Sequence, residues 1–405
     1  MKYKLSLLIV LLAILALTGY AVLLQPAALV AAAPQPVANA SPAPVAAPRF
    51  GALGDLEAAL QNIYSQVNPS VVAIDVVMNA TTASPNFPSN HPNVGPSAAL
   101  GSGFVWDTAG HIVTNNHVVD GATSIRVTFF DGSTAPAKLV AADPDSDLAV
   151  IVVNVPANQL TPVQMGDSTQ VKVGQFAIAI GNPYGEQNTM TTGIISALGR
   201  TLPSSNGSNR TTTITGPSYT IPDVIQTDAP INPGNSGGVL VNADGKVIGV
   251  TAAIESAAGS SAGIGFAIPS AIVNRVVPAL ITTGRYAHAY LGISGATLTT
   301  SIAQAMNLPA NQRGAIVGAV TPNGPSDKAG LRGSTQTASV DGVQSRVGGD
   351  VITAIDGKPI KTFDDIVAYL ASSTKVDQTV TLTILRDGKE QKIKVTLQAR
   401  PGSAT

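Results

Sequence analysis

One stretch, Thr227 to Gly238, reads Thr-Asp-Ala-Pro-Ile-Asn-Pro-Gly-Asn-Ser-Gly-Gly and sets a serine among three glycines. Gly234, Gly237 and Gly238 carry no Cβ, so the backbone there can turn sharply and approach a ligand closely. Such a turn presents the Ser236 hydroxyl while neighbouring N–H groups converge on one point. A nucleophile beside an oxyanion hole needs that arrangement, with donors aimed where negative charge develops. Glycine-rich turns without chemistry are common, so a base and its partner must be found elsewhere. The chain has four histidines. His91 lies in a proline-rich stretch and His288 where the sequence pattern changes, and both are read as solvated; His111 follows a turn and is read as a strand residue. His117, in Thr114-Asn115-Asn116-His117-Val118-Val119, falls just past a strand end, where a rigid sheet can hold a loop side chain. A carboxylate is also needed to orient the imidazole and stabilise its cation. Asp143, Asp145 and Asp147 fall together before the apolar run Leu148-Ala149-Val150. Asp147 stands at the mouth of that strand and can face inward, whereas Asp143 and Asp145 flank a proline and are read as solvent-facing.

The elements that must position these residues are mostly strands. After a helix over Leu53 to Tyr64, strands are expected at Ser70–Met78, Phe104–Trp106, His111–Thr114, Ile125–Phe130 and Lys138–Ala141. Further strands fit Leu148–Val153, Phe176–Ile180, Thr191–Ala197, Val239–Val241, Lys246–Ala253 and Ile264–Ile268. Asp131-Gly132 marks a hairpin turn, and 79–98 and 201–222 read as loops. Strands at this spacing without alternating helices indicate a mainly β unit, an antiparallel sandwich or a pair of barrels. A helix over Ser270–Thr282 closes it. Beyond Gly284 the pattern changes, with strands at Ala315–Val320, Val351–Ile355, Val380–Leu385 and Ile393–Gln398. A helix over Phe363–Ala371 has Thr362 as N-cap and Asp365 placed to complete a capping box. The polar stretch 332–348 reads as an inserted loop.

A chain of 405 residues can hold two or three domains. Its net charge of -1 and lack of a basic patch give no reason to expect nucleic acid. With no cysteine there is no thiol nucleophile, thiolate metal site or disulfide. Gly101-Ser102-Gly103 lacks the lysine and following helix of a phosphate loop, and no metal-ligand spacing occurs, so no cofactor or metal is expected. Lys2 and Lys4 precede an apolar run, Leu5 to Leu24, long enough to span a bilayer. An uncleaved anchor over 5–24 is favoured, because the run exceeds the core of a signal peptide; Ala31-Ala32-Ala33 keeps cleavage as the rival. Either way the remainder is exported, to the cell envelope or periplasm, or secreted if the segment is removed. Residues 31–50 form a Pro/Ala-rich linker.

His117, Asp147 and Ser236 occur in the chain order of chymotrypsin-type enzymes. Together with Ser-Asp-Leu-Ala-Val, Gly-Asn-Pro-Tyr-Gly and the Ser236 stretch, Thr-Asn-Asn-His-Val-Val resembles the HtrA/Deg family of serine proteases, from about Leu53 to Thr405. The resemblance implies a chymotrypsin-like double β-barrel over 51–284, a PDZ domain over 285–400 and a short tail, 401–405. It implies Ser236 as nucleophile, His117 as general base and then acid, and Asp147 as orienting carboxylate, with an oxyanion hole at Gly234, Asn235 and Ser236. Tyr290-Leu291-Gly292-Ile293 resembles the loop that receives a peptide's terminal carboxylate in PDZ domains, the Phe363–Ala371 helix forming the other groove wall. Arg200 matches an arginine in a loop linking the PDZ domain to the active site, and a homotrimer is implied, with Leu53, Leu56 and Tyr64 as contact candidates. From the residues themselves, neutral Asn235 cannot form an ion pair with a freshly cut N-terminus, so no zymogen cleavage is expected. Ile231 and Ile264 bring no charge to a primary pocket, which favours Val, Ala or Ile before the cut. The reading is an ATP-independent endopeptidase for unfolded or damaged proteins. Its competitors are a chaperone or PDZ scaffold that holds clients, and a signalling protease specific for one membrane-protein client.

Overall fold

The computed structural model describes residues 51–78, 98–182, 189–203, 220–252 and 263–401. The chain divides into compact units between Asp55 and Leu56; of the first, only the start of helix α1 (Gly51–Val67) is described. The rest is the unit from Leu56 onward. Residues 5–24, the 31–50 linker and residues 79–97 of the expected loop lie outside the described residues. No helix among the described residues is long and apolar enough to cross a membrane.

The Val/Ile runs and Gly-containing turns fold into two closed six-stranded barrels. The first contains β1 (Val71–Met78), β2 (Ala98–Val105), β3 (His111–Asn115), β4 (Ala122–Thr128), β5 (Thr134–Asp143) and β6 (Leu148–Val153), in the order β1-β2-β3-β6-β5-β4. A one-turn helix, α2 (Asn116–Val119), leaves the end of β3. The second contains β7 (Phe176–Gly181), β8 (Thr189–Pro203), β9 (Thr220–Thr227), β10 (Val239–Val241), β11 (Val247–Ala252) and β12 (Gly265–Pro269), in the order β10-β11-β12-β9-β8-β7. Helix α3 (Ser270–Thr283) then buries Ile272, Val273, Val276, Val277 and Leu280 in a core shared with Phe104, Leu148 and Val150 of one barrel and Ile178, Val250 and Ile268 of the other. Ile63 and Val67 of α1 join the same cluster. One apolar core therefore ties the barrels, in agreement with the expected double barrel.

The two ends of the stretch 201–222 depart from its reading as a loop, while residues 204–219 lie outside the described residues. β8 runs through Arg200 to Pro203, and β9 begins at Thr220. Pro222 masks β9 in the sequence, but the ladder shifts register repeatedly, pairing Arg200 with Val224 and Leu202 with Ile221. Arg200 is accordingly an exposed strand residue rather than a loop residue.

After α3 a ribbon pairs β13 (Ala289–Tyr290) with the distant β22 (Gln398–Ala399). Between them run β14 (Ile293–Thr297), helix α4 (Thr300–Ala305), β15 (Ala315–Val320), helix α5 (Pro325–Lys328), β16 (Gln336–Val340), β17 (Val343–Val347), β18 (Val351–Ile355), β19 (Lys358–Pro359), helix α6 (Phe363–Ser373), β20 (Thr379–Arg386) and β21 (Lys389–Thr396). The main sheet has the order β14-β15-β18-β20-β21, with β19 beside β18 and β14 at an edge. The capping box at α6 forms as expected: Thr362 Oγ1 accepts the Asp365 N–H at 3.2 Å, and Asp365 Oδ2 accepts the Thr362 N–H at 2.8 Å. The expected loop 332–348 is instead largely the hairpin β16–β17, turned by Asp341 and Gly342 with φ of 50° and 80°. Positive φ at both central residues defines a type I′ turn, which matches strand twist. The hairpin packs against α4 and β15.

At the base of that insertion Asp350, 1% exposed, accepts Arg386 Nε at 2.8 Å and Nη2 at 2.7 Å, and its Oδ2 also accepts the Arg332 N–H at 2.8 Å. Removing the carboxylate leaves the Arg332 N–H without this partner and the Arg386 guanidinium with only the Gly330 carbonyl, which its Nη2 reaches at 2.8 Å. Asp350→Ala is expected to lower stability by about 3 kcal/mol, read as the shift of the urea unfolding midpoint of the full chain.

Candidate active site

Asp147 ends the β5–β6 turn with φ of 53°, a left-handed conformation that non-glycine residues seldom adopt. Its surroundings fix it there. The Asp147 carbonyl accepts the Asn116 N–H at 3.0 Å and Asn115 Nδ2 at 2.9 Å. Its carboxylate, 5% exposed as a residue, grips His117 twice: Oδ1 accepts the His117 backbone N–H at 3.0 Å, and Oδ2 faces ring Nδ1 at 2.7 Å. The imidazole is thus held by the same group at its root and at its ring, and the tautomer that donates from Nδ1 leaves Nε2 as the basic nitrogen. Burial disfavours the imidazolium, but the charge and hydrogen bond of Asp147 together outweigh it, so the His117 pKa lies above the ordinary value of 6.5.

Ser236 comes from the second barrel, on the loop between β9 and β10, and is buried with Asn235. The turn is glycine-dependent. Gly234 and Gly237 have φ of 96° and 85°, and a Cβ at Gly237 would stand 2.1 Å from the Ser102 carbonyl oxygen and 2.4 Å from Thr114 Oγ1. Ser102, on β2 of the first barrel and fully buried, binds this loop from across the seam. Its N–H donates to the Ser236 carbonyl at 2.7 Å and its hydroxyl to the Gly234 carbonyl at 2.6 Å. The same hydroxyl accepts the Asn182 N–H at 2.7 Å, and its carbonyl accepts Thr114 Oγ1 at 2.6 Å. Thr114 lies on the strand that leads to His117, so one serine links the His117 side to the Ser236 side. Nothing in the local sequence Gly101-Ser102-Gly103 marks this role, which depends on bonds to distant segments.

Of the three residues expected at an oxyanion hole, Asn235 departs. Its N–H donates to the Asn232 carbonyl at 3.0 Å and closes the turn, so it does not join a converging pair. The Gly234 N–H donates to none of the described residues. Asn235 Oδ1 is buried without a hydrogen-bond partner among the described residues.

The two residues expected to line a pocket separate. Ile231 is 5% exposed within the core of the second barrel, and Ile264 is 56% exposed. Gly265 lies between them in space: a Cβ there would stand 2.8 Å from Ile231 Cδ1. The nearby Asp228 carboxylate accepts the Ile194 N–H at 2.7 Å, which anchors the loop to β8.

The tetrapeptide 290–293 lies between β13 and β14. Its carbonyls are engaged, Leu291 by Ser326 N–H and Oγ at 3.1 and 2.6 Å and Gly292 by the Thr321 N–H at 2.9 Å. The N–H groups of Leu291 and Gly292 donate to none of the described residues. Gly292 has φ of 77°, Ile293 opens the edge strand, and Tyr290 Oη is 2.9 Å from Thr321 Oγ1. α6 lies beside β14, with the Phe363 N–H on Thr297 Oγ1 at 3.0 Å. It also contacts β8, the strand carrying Arg200. Of the trimer candidates, Leu56 is exposed, Tyr64 packs on the shared core, and the Leu53 side chain lies outside the described ones.

Of the other described histidines, His111 lies in β3 as expected, and His288 is not solvated. His111 Nδ1 is 2.7 Å from Asp107 Oδ2, and His288 is paired with Asp143, which is 5% exposed. The reading of Asp143 and Asp145 as solvent-facing is corrected too, because Arg400 holds Asp145 at 2.9 Å. His91 lies outside the described residues.

Two closed barrels with an aspartate-held histidine at their seam, followed by a second β domain, define a trypsin-like peptidase with an appended module. Residues 101–250 match the trypsin-like peptidase domain and 289–397 the PDZ domain. The chain is 43% identical over 302 residues to the periplasmic serine endoprotease DegP of Escherichia coli (strain K12), covering 74% of this chain and 57% of that protein. It is 42% identical over 301 residues to the chloroplastic Protease Do-like 1 of Arabidopsis thaliana, covering 74% and 64%. The chain therefore spans less than two thirds of these curated relatives. A solved structure of the HtrA-type protease AlgW with tripeptide is 32% identical, with a TM-score of 0.64 over 84% of this chain and 97% of that one. The chain belongs to the HtrA/Deg family.

The seam makes its own prediction. Ser102→Ala strands two buried polar groups, the Gly234 carbonyl and the Asn182 N–H. A loss of roughly 2–4 kcal/mol is expected, measured by urea unfolding against the exposed-turn control Ser133→Ala.

Proposed function

We propose that this chain is an exported, ATP-independent serine endopeptidase that cuts unfolded or damaged proteins through an acyl-enzyme. The observation that carries this reading is the double grip of Asp147 on His117, placed where Ser102 joins the first barrel to the Ser236 loop. In the proposed mechanism the Ser236 hydroxyl attacks the peptide carbonyl while His117 Nε2 takes its proton. Asp147 holds the tautomer and stabilises the imidazolium without itself becoming protonated. His117 then protonates the leaving amine, and a water deprotonated by His117 releases the acid product. The Gly234 and Ser236 N–H groups are the proposed donors to the oxyanion. The protease domain is assigned to 51–284 and the PDZ domain to 285–400, where the Leu291 and Gly292 N–H groups would receive the terminal carboxylate of a peptide that adds to the edge of β14. Contact between α6 and β8 supports Arg200 as a regulatory residue. Names of relatives support an extracytoplasmic setting, to which we add anchoring through residues 5–24 and a homotrimer. A scaffold without catalysis gives no account of the Asp147 geometry.

Casein should be degraded by the full chain and not by Ser236→Ala; intact casein with both proteins, even with a hydrophobic-ended peptide added, would overturn the assignment. The base acts only when neutral, so kcat/KM must rise as pH passes up through the His117 pKa, with a midpoint above 6.5. Asp147→Asn removes both contributions that raise that pKa. It should shift the acid limb downward and lower kcat by about 10⁴-fold, both read from a pH–rate profile.

A further inference from the structure

The turn that delivers Asp147 is Asp143-Pro144-Asp145-Ser146-Asp147, and its two other carboxylates are held by the C-terminal domain. His288 Nε2 lies 2.9 Å from Asp143 Oδ1 and 2.8 Å from Oδ2, with only 12% and 7% of the two side chains exposed. Arg400 Nη1 lies 2.9 Å from Asp145 Oδ2. The two holding residues are themselves joined, since the Arg400 N–H donates to the His288 carbonyl at 3.0 Å just outside the Ala289–Ala399 pair of the β13–β22 ribbon. The Tyr286 ring meets the His288 ring edge-on at 4.8 Å and itself packs on the core shared by the barrels. Within the turn, Asp143 passes the constraint on: Ser146 Oγ donates to its Oδ2, the Ser146 N–H donates to its carbonyl at 3.2 Å, and the next residue is Asp147.

A backbone at φ of 53° needs outside support. We propose that His288 and Arg400 form a hydrogen-bonded clasp on Asp143 and Asp145 that holds the turn in the conformation presenting Asp147 to His117. They are positioning residues: neither touches the reacting atoms. The proposal rests on the endopeptidase reading. Asp143, Asp145 and His288 also converge closely enough to invite a divalent cation. Direct contact between His288 and Asp143, and the guanidinium already seated on Asp145, favour the clasp over an ion.

The test compares the full chain with His288→Ala, Asp143→Asn and Arg400→Ala, with Asp107→Ala as a control that breaks a similar histidine–carboxylate pair away from the turn. Loss of the clasp should lower kcat on a peptide substrate roughly ten- to a hundredfold at unchanged KM. Asp143→Asn combined with His288→Ala should cost little more than either alone. The low-field proton resonance of the His117–Asp147 hydrogen bond, which needs no substrate, should broaden or vanish in the clasp variants and persist in Asp107→Ala. Unchanged kcat and an unchanged resonance in folded variants would overturn the clasp. So would stoichiometric Zn²⁺ uptake abolished by His288→Ala, because it would make the cluster a metal site. A resonance lost in the variants of a chain that cuts nothing would support the clasp while removing the endopeptidase.

Discussion

The structure depends on one seam. His117 and Asp147 belong to the first barrel and Ser236 to the second, and a closed barrel has no free edge through which it can pair with another. The shared core beneath α3 brings the barrels together but fixes no register, since apolar contact is non-directional. Register comes from Ser102, whose four hydrogen bonds reach Ser236, Gly234, Asn182 and Thr114. The contact is so close that Gly237 cannot carry a side chain. Glycine there is a packing requirement of the seam as well as a conformational one.

The same economy governs the aspartate. A residue in the left-handed region is usually a turn residue, and Asp341-Gly342 and Asp387-Gly388 serve as turns. At Asp147 the conformation does different work: it folds the carboxylate back over the N-terminus of α2, where the backbone N–H and the ring of one histidine converge. The buried charge is compensated at both oxygens, and His117 gains basicity in surroundings that by burial alone would have reduced it.

Much of this was legible because the chemistry-bearing residues are scarce. With four histidines and no cysteine, few constellations were possible, and a serine among glycines marked its own loop. Strands and helices followed from apolar runs and turn residues. What was missed has a common cause: it depends on pairing between distant segments or on signals that compete locally. Pro222 concealed β9, which a register shift accommodates. The 336–347 hairpin carried the same Asp-Gly turn used elsewhere, but only Val340 and Val347 are buried among its otherwise polar or exposed residues, too short an apolar pattern to read. Ser102 gave no signal in a stretch read only as unlike a phosphate loop, because its role lies in bonds across the seam. Asp143 looked solvent-facing until His288, far away in sequence, arrived beside it.

That last pairing shows how the C-terminal domain bears on the aspartate turn. Ribbon β13–β22 has His288 and Arg400 at one end, and at the other the chain enters Tyr290 to Ile293, where the Leu291 and Gly292 N–H groups face none of the described acceptors. Only two residues separate His288 from Leu291. The Ala289–Ala399 and Tyr290–Gln398 pairs make this ribbon short, so the two ends lie close along the chain. The hydrogen bonds of His288 and Arg400 are directional where the apolar interior is not.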